Sequence, residues 1–165
     1  DVLRRGGQDG KLVSITGSKD VVSAHQIKLQ ADLEFSEADF SDADVLFLPG
    51  GMPGTRNLAA HEGLCGELLK ADKAGKRLAA ICAGPSVLGG LGILEGRKAT
   101  CYPGFEGELK GAEYTRQGVV TDGNVTTARG LGYALDLGIE LLALLTDREH
   151  AGQIKDSIQY DQIPM

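Results

Sequence analysis

The sequence has no excess of positive charge, no paired-cysteine pattern and no long apolar run, and each absence removes a class of function. Seventeen Lys and Arg stand against twenty-three Asp and Glu, a formal net charge of -6. The basic residues form no stripe, so neither a nucleic acid nor an anionic membrane is an expected partner. The acidic residues are spread out as well, which leaves no acidic tail. The longest uncharged run, 78–94, is short for a membrane span and carries Pro85 and four glycines. Three cysteines (Cys65, Cys82, Cys101) are an odd number without C-x-x-C spacing. They suggest neither a disulfide framework nor a zinc site. With no secretory-signal pattern in view, a reducing, cytoplasmic setting is expected. There is no internal repeat, and no phosphate loop: Gly89-Gly-Leu-Gly92 lies inside a helical run, not after a strand. Neither a metal nor a cofactor is expected.

What the chain has in abundance is glycine, 24 of 165 residues, roughly double the average usage. Without a collagen-like period these mark tight turns and close backbone approaches. A hydrophobic share of 42% and a charged share of 24% describe a folded chain. Its length suits a single domain over residues 1–165.

Along the chain, Asp1 to Gly7 resembles the end of a helix, a basic last turn followed by glycine. Residues 11–16 read as a short strand, and 21–33 as one or two strands, with a hairpin as one reading. The continuous apolar run 45–48, stopped by Pro49-Gly50-Gly51, fits a strand buried on both faces of a parallel sheet. Helical spacing over 57–73 puts Leu58, His61, Leu64, Cys65, Leu68 and Leu69 on one face. Residues 78–82 form the next buried strand, 83–94 a small-residue helix, and 98–102 another strand. A hairpin over 119–128 turns at Asp122-Gly123. A nearly all-apolar, well-buried helix spans 131–145, and Thr146-x-x-Glu149 suggests a capping box for a last helix over 147–159. Strands alternating with helices predict an α/β sandwich with a mostly parallel sheet.

In such sheets sites lie just beyond the carboxyl ends of strands. Cys82 stands at one such junction, followed by the small residues Ala83 and Gly84 that permit a sharp turn. A nucleophile there has the geometry of a hydrolase elbow. It faces the start of the following helix, which favours negative charge on sulfur. Backbone amides near Gly51 and Ala83 are candidates to hold a developing oxyanion. The alternative is that Cys82 is merely a small buried hydrophobe.

Residues 44–51 (DVLFLPGG), 79–85 (AAICAGP), 99–103 (ATCYP) and 123–130 (GNVTTARG) resemble the ThiJ/PfpI superfamily, and within it the DJ-one branch. The resemblance runs in order from Asp1 to about Tyr160. It implies a flavodoxin-like three-layer sandwich, a homodimer, and Cys82 as the reactive, oxidation-prone cysteine. Members of this branch are described as glutathione-independent glyoxalases, protein deglycases, redox-regulated chaperones and oxidative-stress sensors, with an older link to thiazole monophosphate biosynthesis. The resemblance also implies a glutamate, at the end of a first strand, that hydrogen-bonds the cysteine. That strand is absent from this sequence, so an N-terminal segment beyond it is expected. Where many members carry a histidine before the proline of the next strand, this chain has Tyr102, and a tyrosine is a poor general base at neutral pH. Ala83 replaces the histidine that follows the cysteine in peptidase-like members, and His150 does not fit the amidotransferase pattern. Both classes are therefore disfavoured.

Two readings follow. In one, Cys82 attacks a small dicarbonyl or its adduct on a glycated protein, with Gly51 and Ala83 supplying the oxyanion amides. In the other, Cys82 is oxidised without turnover and the protein acts as a stress-response chaperone or binding module. Gly50, Cys101, Tyr102 and Arg129 are candidates to line the site, Cys101 also as a resolving thiol and Arg129 alternatively as a dimer contact. The dimer role of Arg4 and Arg5 rests on the resemblance alone. Cys65 and His61 read as core residues, and His25 and His150 as surface residues.

Overall fold

Four strands carry the molecule. In a computed structural model that describes residues 1–161, they form the central sheet. The elements, in chain order, are α1 (Val2–Arg5), β1 (Val13–Ser14), β2 (Asp20–Val22), β3 (Lys28–Gln30), β4 (Leu33–Glu34) and β5 (Val45–Leu48). Then come α2 (Gly54–Ala60), α3 (Glu62–Lys73), β6 (Arg77–Ile81), α4 (Pro85–Gly90), β7 (Lys98–Ala99) and β8 (Glu113–Tyr114). The chain continues through β9 (Val119–Asp122), β10 (Val125–Ala128), α5 (Ala134–Leu145) and α6 (Arg148–Ser157). β6 runs parallel to both β5 and β10, and β9 closes the edge antiparallel to β10. β1 with β4, and β7 with β8, form two small parallel pairs, and β2 with β3 is a hairpin.

Alternation along β6 divides the core. Leu78 and Ala80 join Leu64 and Leu68 of α3 and Leu88 of α4 on one face. Ala79 and Ile81 meet Leu137 and Leu141 of α5 on the other, with Leu3 of α1 packed alongside. Helices on both faces of a mostly parallel sheet make the expected three-layer α/β sandwich. At the end of the sheet away from Cys82, Arg97 and Asn124 converge on Asp72. The guanidinium lies 2.9 Å from Asp72 Oδ1, and the Asn124 amide donates to the same oxygen and to the Lys76 carbonyl. Arg97 also donates to Asn124 Oδ1. This cluster ties the end of α3 to the β9–β10 turn.

Several sequence expectations need correction. The helix expected over 57–73 is two helices broken at His61, whose backbone ends α2 while its Nδ1 accepts from the Leu64 N–H to cap α3. Leu69 is exposed rather than on the buried face with Leu64 and Leu68. The helix after Cys82 stops at Gly90, and the strand expected over 98–102 is regular only at Lys98–Ala99. Leu131 is 88% exposed in a 3-10 turn preceding α5. α6 is capped by the Asp147 carboxylate on the His150 N–H, while the Thr146 hydroxyl donates back to the Leu142 carbonyl, so the Thr146 box does not form. His150 is not a free surface residue: its Nε2 lies 3.1 Å from the Gly6 carbonyl. The segment 21–33 resolves into the β2–β3 hairpin, with Gln26 at a φ of 64° and the Ser23 hydroxyl accepting from the His25 and Ile27 amides, and then β4.

Leu68 and Leu69 separate these two descriptions of α3. Leu68→Ala is expected to cost about 2–5 kcal/mol in denaturant unfolding, whereas Leu69→Ala stays within about 0.5 kcal/mol. Asp72→Ala, which strands Arg97 and Asn124, is expected to cost about 1–3 kcal/mol by the same measurement.

Candidate functional site

The pairing registers bring the carboxyl ends of three parallel strands into one row. Leu48 pairs with Ala80, and Ala128 with Ile81. Carried beyond the strand ends, this register sets Gly50 on one side of Cys82 and Arg129 on the other. The Cys82 amide donates to the Ala128 carbonyl at 2.9 Å, and the Tyr102 amide donates to the Cys82 carbonyl at 2.9 Å. Cys82 is therefore held from two neighbouring segments at the point where β6 ends.

The turn there is tight. Cys82 has a φ of 64°, and the Gly84 N–H closes the turn on the Ile81 carbonyl at 2.9 Å. A left-handed conformation costs a non-glycine residue of order 1–3 kcal/mol and persists only where its surroundings enforce it. The surroundings are close. A Cβ on Gly50 would lie 2.5 Å from the Cys82 Cβ, and one on Gly84 would lie 2.8 Å from the Leu48 carbonyl oxygen. Pro85 then starts α4, a position that needs no N–H. The buried Ser86 hydroxyl donates to the Ala83 carbonyl at 2.7 Å and braces the turn from below.

Facing this turn, Gly51 has a φ of 91°, and its carbonyl accepts from both the amide and the hydroxyl of buried Thr55. Among the described residues, the amides of Gly51 and Ala83 donate to nothing. Two unengaged N–H groups thus lie at the strand ends that meet at Cys82, itself a half-buried residue. Thr55 and Ser86 hold the carbonyls of these two residues, one peptide beyond each amide, and the sequence reading missed both. Their only signal is a hydroxyl residue in the first turn after a glycine-proline stop. The hairpin reading of 21–33 holds for β2–β3, and the structure adds its place: Ala24 lies 3.6 Å from where a Gly51 Cβ would be.

The remaining candidates are placed as follows. Cys101 is fully buried in the core below the site. Burial first, and then the negative charge of Glu106, push its thiol up to about 11, against a smaller opposing effect of Arg129. Tyr102 is half exposed, with its ring over Gly130. Arg129 is half-buried beside Cys82. His61 is occupied as the α3 cap and packs on the Phe35 ring at 4.5 Å. Cys65, half-buried rather than core, donates from its thiol to the Ala59 carbonyl at 3.4 Å.

Against known proteins, the DJ-1/PfpI family model matches residues 1–144. The chain belongs to the DJ-1/PfpI family. Protein DJ-1 homolog B of Arabidopsis thaliana is 38% identical over 156 residues, covering 93% of this chain and 36% of that protein. The chain thus spans little more than a third of this first curated relative, and 40% of the second. An archaeal relative named Deglycase PH1704, from Pyrococcus horikoshii, is 34% identical over 66% of each chain. Among solved structures, a mutant of a DJ-1 superfamily protein from Salmonella typhimurium superposes with a TM-score of 0.92 at 34% identity. That match covers 98% of this chain and 88% of the other. The flavodoxin-like expectation agrees with this architecture.

Two outcomes follow from the geometry. Gly50→Ala is expected to force the Cys82 turn open and to lower the unfolding midpoint, at a cost of about 1–3 kcal/mol. Cys101 gives a pH signature. Its folded-state value of about 11 stands above the ordinary 9.0, so between those values the folded chain keeps a proton that the unfolded chain has lost. Stability therefore falls as pH rises through that window. Unfolding series at increasing pH should show a shallower decline for Cys101→Ala than for wild type.

Proposed function

We propose that this protein is a cysteine-dependent catalyst acting on reactive 1,2-dicarbonyls or their early adducts on proteins. The observation that carries this reading is the strained Cys82 turn between the two unengaged amides of Gly51 and Ala83. The Cys82 sulfur adds to the aldehyde carbon, the carbonyl electron pair moves to oxygen, and the two N–H groups stabilise the oxyanion. In the resulting hemithioacetal, the proton on the former aldehyde carbon shifts to the neighbouring carbon. This oxidises the first carbon to a thioester and reduces the ketone to an alcohol. One water then hydrolyses the thioester, releasing a 2-hydroxy acid and the thiol. No external oxidant or reductant is required. The relative named a deglycase supports this chemistry as a class.

Incubation with methylglyoxal, with lactate as the readout, tests the proposal. Cys82→Ala is expected to reduce the rate by at least ~100-fold; equal rates for the two proteins would overturn it.

A second reading is favoured by one observation: no described side chain hydrogen-bonds the Cys82 thiol. On that reading Cys82 is an oxidation sensor. Cys101 stays a protonated thiol in the core, a poor attacker of a sulfenic acid. Mild peroxide should therefore add oxygen to Cys82 without forming a Cys82–Cys101 disulfide. Peptide mass spectrometry detecting that disulfide as the main product would defeat this reading.

A further inference from the structure

Arg129 is the one charged side chain that the strand register sets beside Cys82. Ala128 pairs with Ile81 across parallel strands, so the next residues, Arg129 and Cys82, leave adjacent strand ends about 4.8 Å apart. The Cys82 amide bond to the Ala128 carbonyl maintains this spacing. The Arg129 amide is fixed in turn by the Gly118 carbonyl at 2.9 Å. Its backbone is therefore anchored on both sides, and the side chain is half-buried.

Yet its guanidinium makes no ion pair and no hydrogen bond among the described residues. A half-buried guanidinium with no protein partner keeps its paired donors open to an anion from solution. The charges around it are few. Glu106 and Glu108 act on the Cys101 thiol with one sign, and Arg129 acts on it with the other; Cys82 acts on the same thiol. Arg129 and Cys82 thus both act on one buried sulfur. Glu106 does not neutralise the guanidinium, because its carboxylate accepts the Gly104 N–H at 2.7 Å and lies beyond ion-pair distance of Arg129.

We infer that Arg129 selects substrates in which the reactive carbonyl carries a carboxylate a few carbons away. The guanidinium holds the carboxylate through paired N–H donors, while Cys82 meets the aldehyde. This names the substrate class of the reading above and rests on that reading for turnover. The representative compound is 4,5-dioxopentanoate. Addition, proton shift and hydrolysis with one water convert it to 2-hydroxyglutarate, by the same internal balance that converts methylglyoxal to lactate.

Two readouts on the full chain test the inference, one of them independent of catalysis. Iodoacetate and iodoacetamide alkylate the same sulfur and differ in a carboxylate, so any effect of Arg129 on the thiol itself cancels in their ratio. At Cys82, followed by peptide mass spectrometry, the iodoacetate-to-iodoacetamide rate ratio is expected to fall about tenfold in Arg129→Gln and to recover partly in Arg129→Lys. The ratio of kcat/KM for 4,5-dioxopentanoate over methylglyoxal should fall to a similar degree, mainly through KM. If wild type consumes neither dicarbonyl, the catalytic reading fails, and the alkylation ratio alone decides whether Arg129 recognises carboxylates. If both are consumed and neither ratio changes in Arg129→Gln, the catalytic reading stands and the role given to Arg129 is overturned.

Discussion

The closure of one turn, the Gly84 N–H on the Ile81 carbonyl with Cys82 in left-handed conformation between them, is the constraint on which the site depends. It works only because the strand ends on either side come too close for ordinary side chains at Gly50 and Gly84. Ile81, the last residue of β6, packs against α5, while Ala80 packs toward α3 and α4. The strain at Cys82 is thus borne by both faces of the core. This is how a sandwich sustains an unfavourable residue at its rim: the cost falls on a sheet with helices on each side.

The two ends of the sheet use polar groups in opposite ways. At the Asp72 end, donors and acceptors satisfy one another: Arg97 and Asn124 share one carboxylate oxygen, and the Asn124 amide also donates to the Lys76 carbonyl. At the Cys82 end the amides of Gly51 and Ala83 and the guanidinium of Arg129 are left without partners among the described residues. Closed polar networks add rigidity, whereas open ones await a ligand. The contrast within a single sheet marks the Cys82 end as the one with polar groups still open.

Much of this was legible in the residues. Continuous apolar runs gave the places of β5 and β6, though β5 lies at a sheet edge with Phe47 exposed rather than buried on both faces, and the Asp-Gly dipeptide gave the β9–β10 turn. The helix ends were not legible. His61 fits an apolar face by spacing, and nothing local shows that its ring nitrogen replaces a backbone acceptor and divides the helix. Thr146 and Asp147 are both good caps, and the choice between them depends on where the Leu142 carbonyl lies. Around Cys82, the braces Thr55 and Ser86 escaped notice because one hydroxyl in a first helical turn looks like many others. Arg129 was placed near the site but could not be weighed, since its lack of a partner is a property of three dimensions.

The break at His61 has a mechanical consequence. The carbonyl of Gly51 is held by Thr55 in the first turn of α2, so the peptide that follows Gly51 is fixed to that seven-residue helix. Because α2 and α3 are joined through a side-chain cap, and through the Cys65 thiol on the Ala59 carbonyl, no unbroken helical ladder transmits a shift from one to the other. The short helix that holds the Gly51 carbonyl therefore keeps a hydrogen-bond ladder of its own, separate from that of α3.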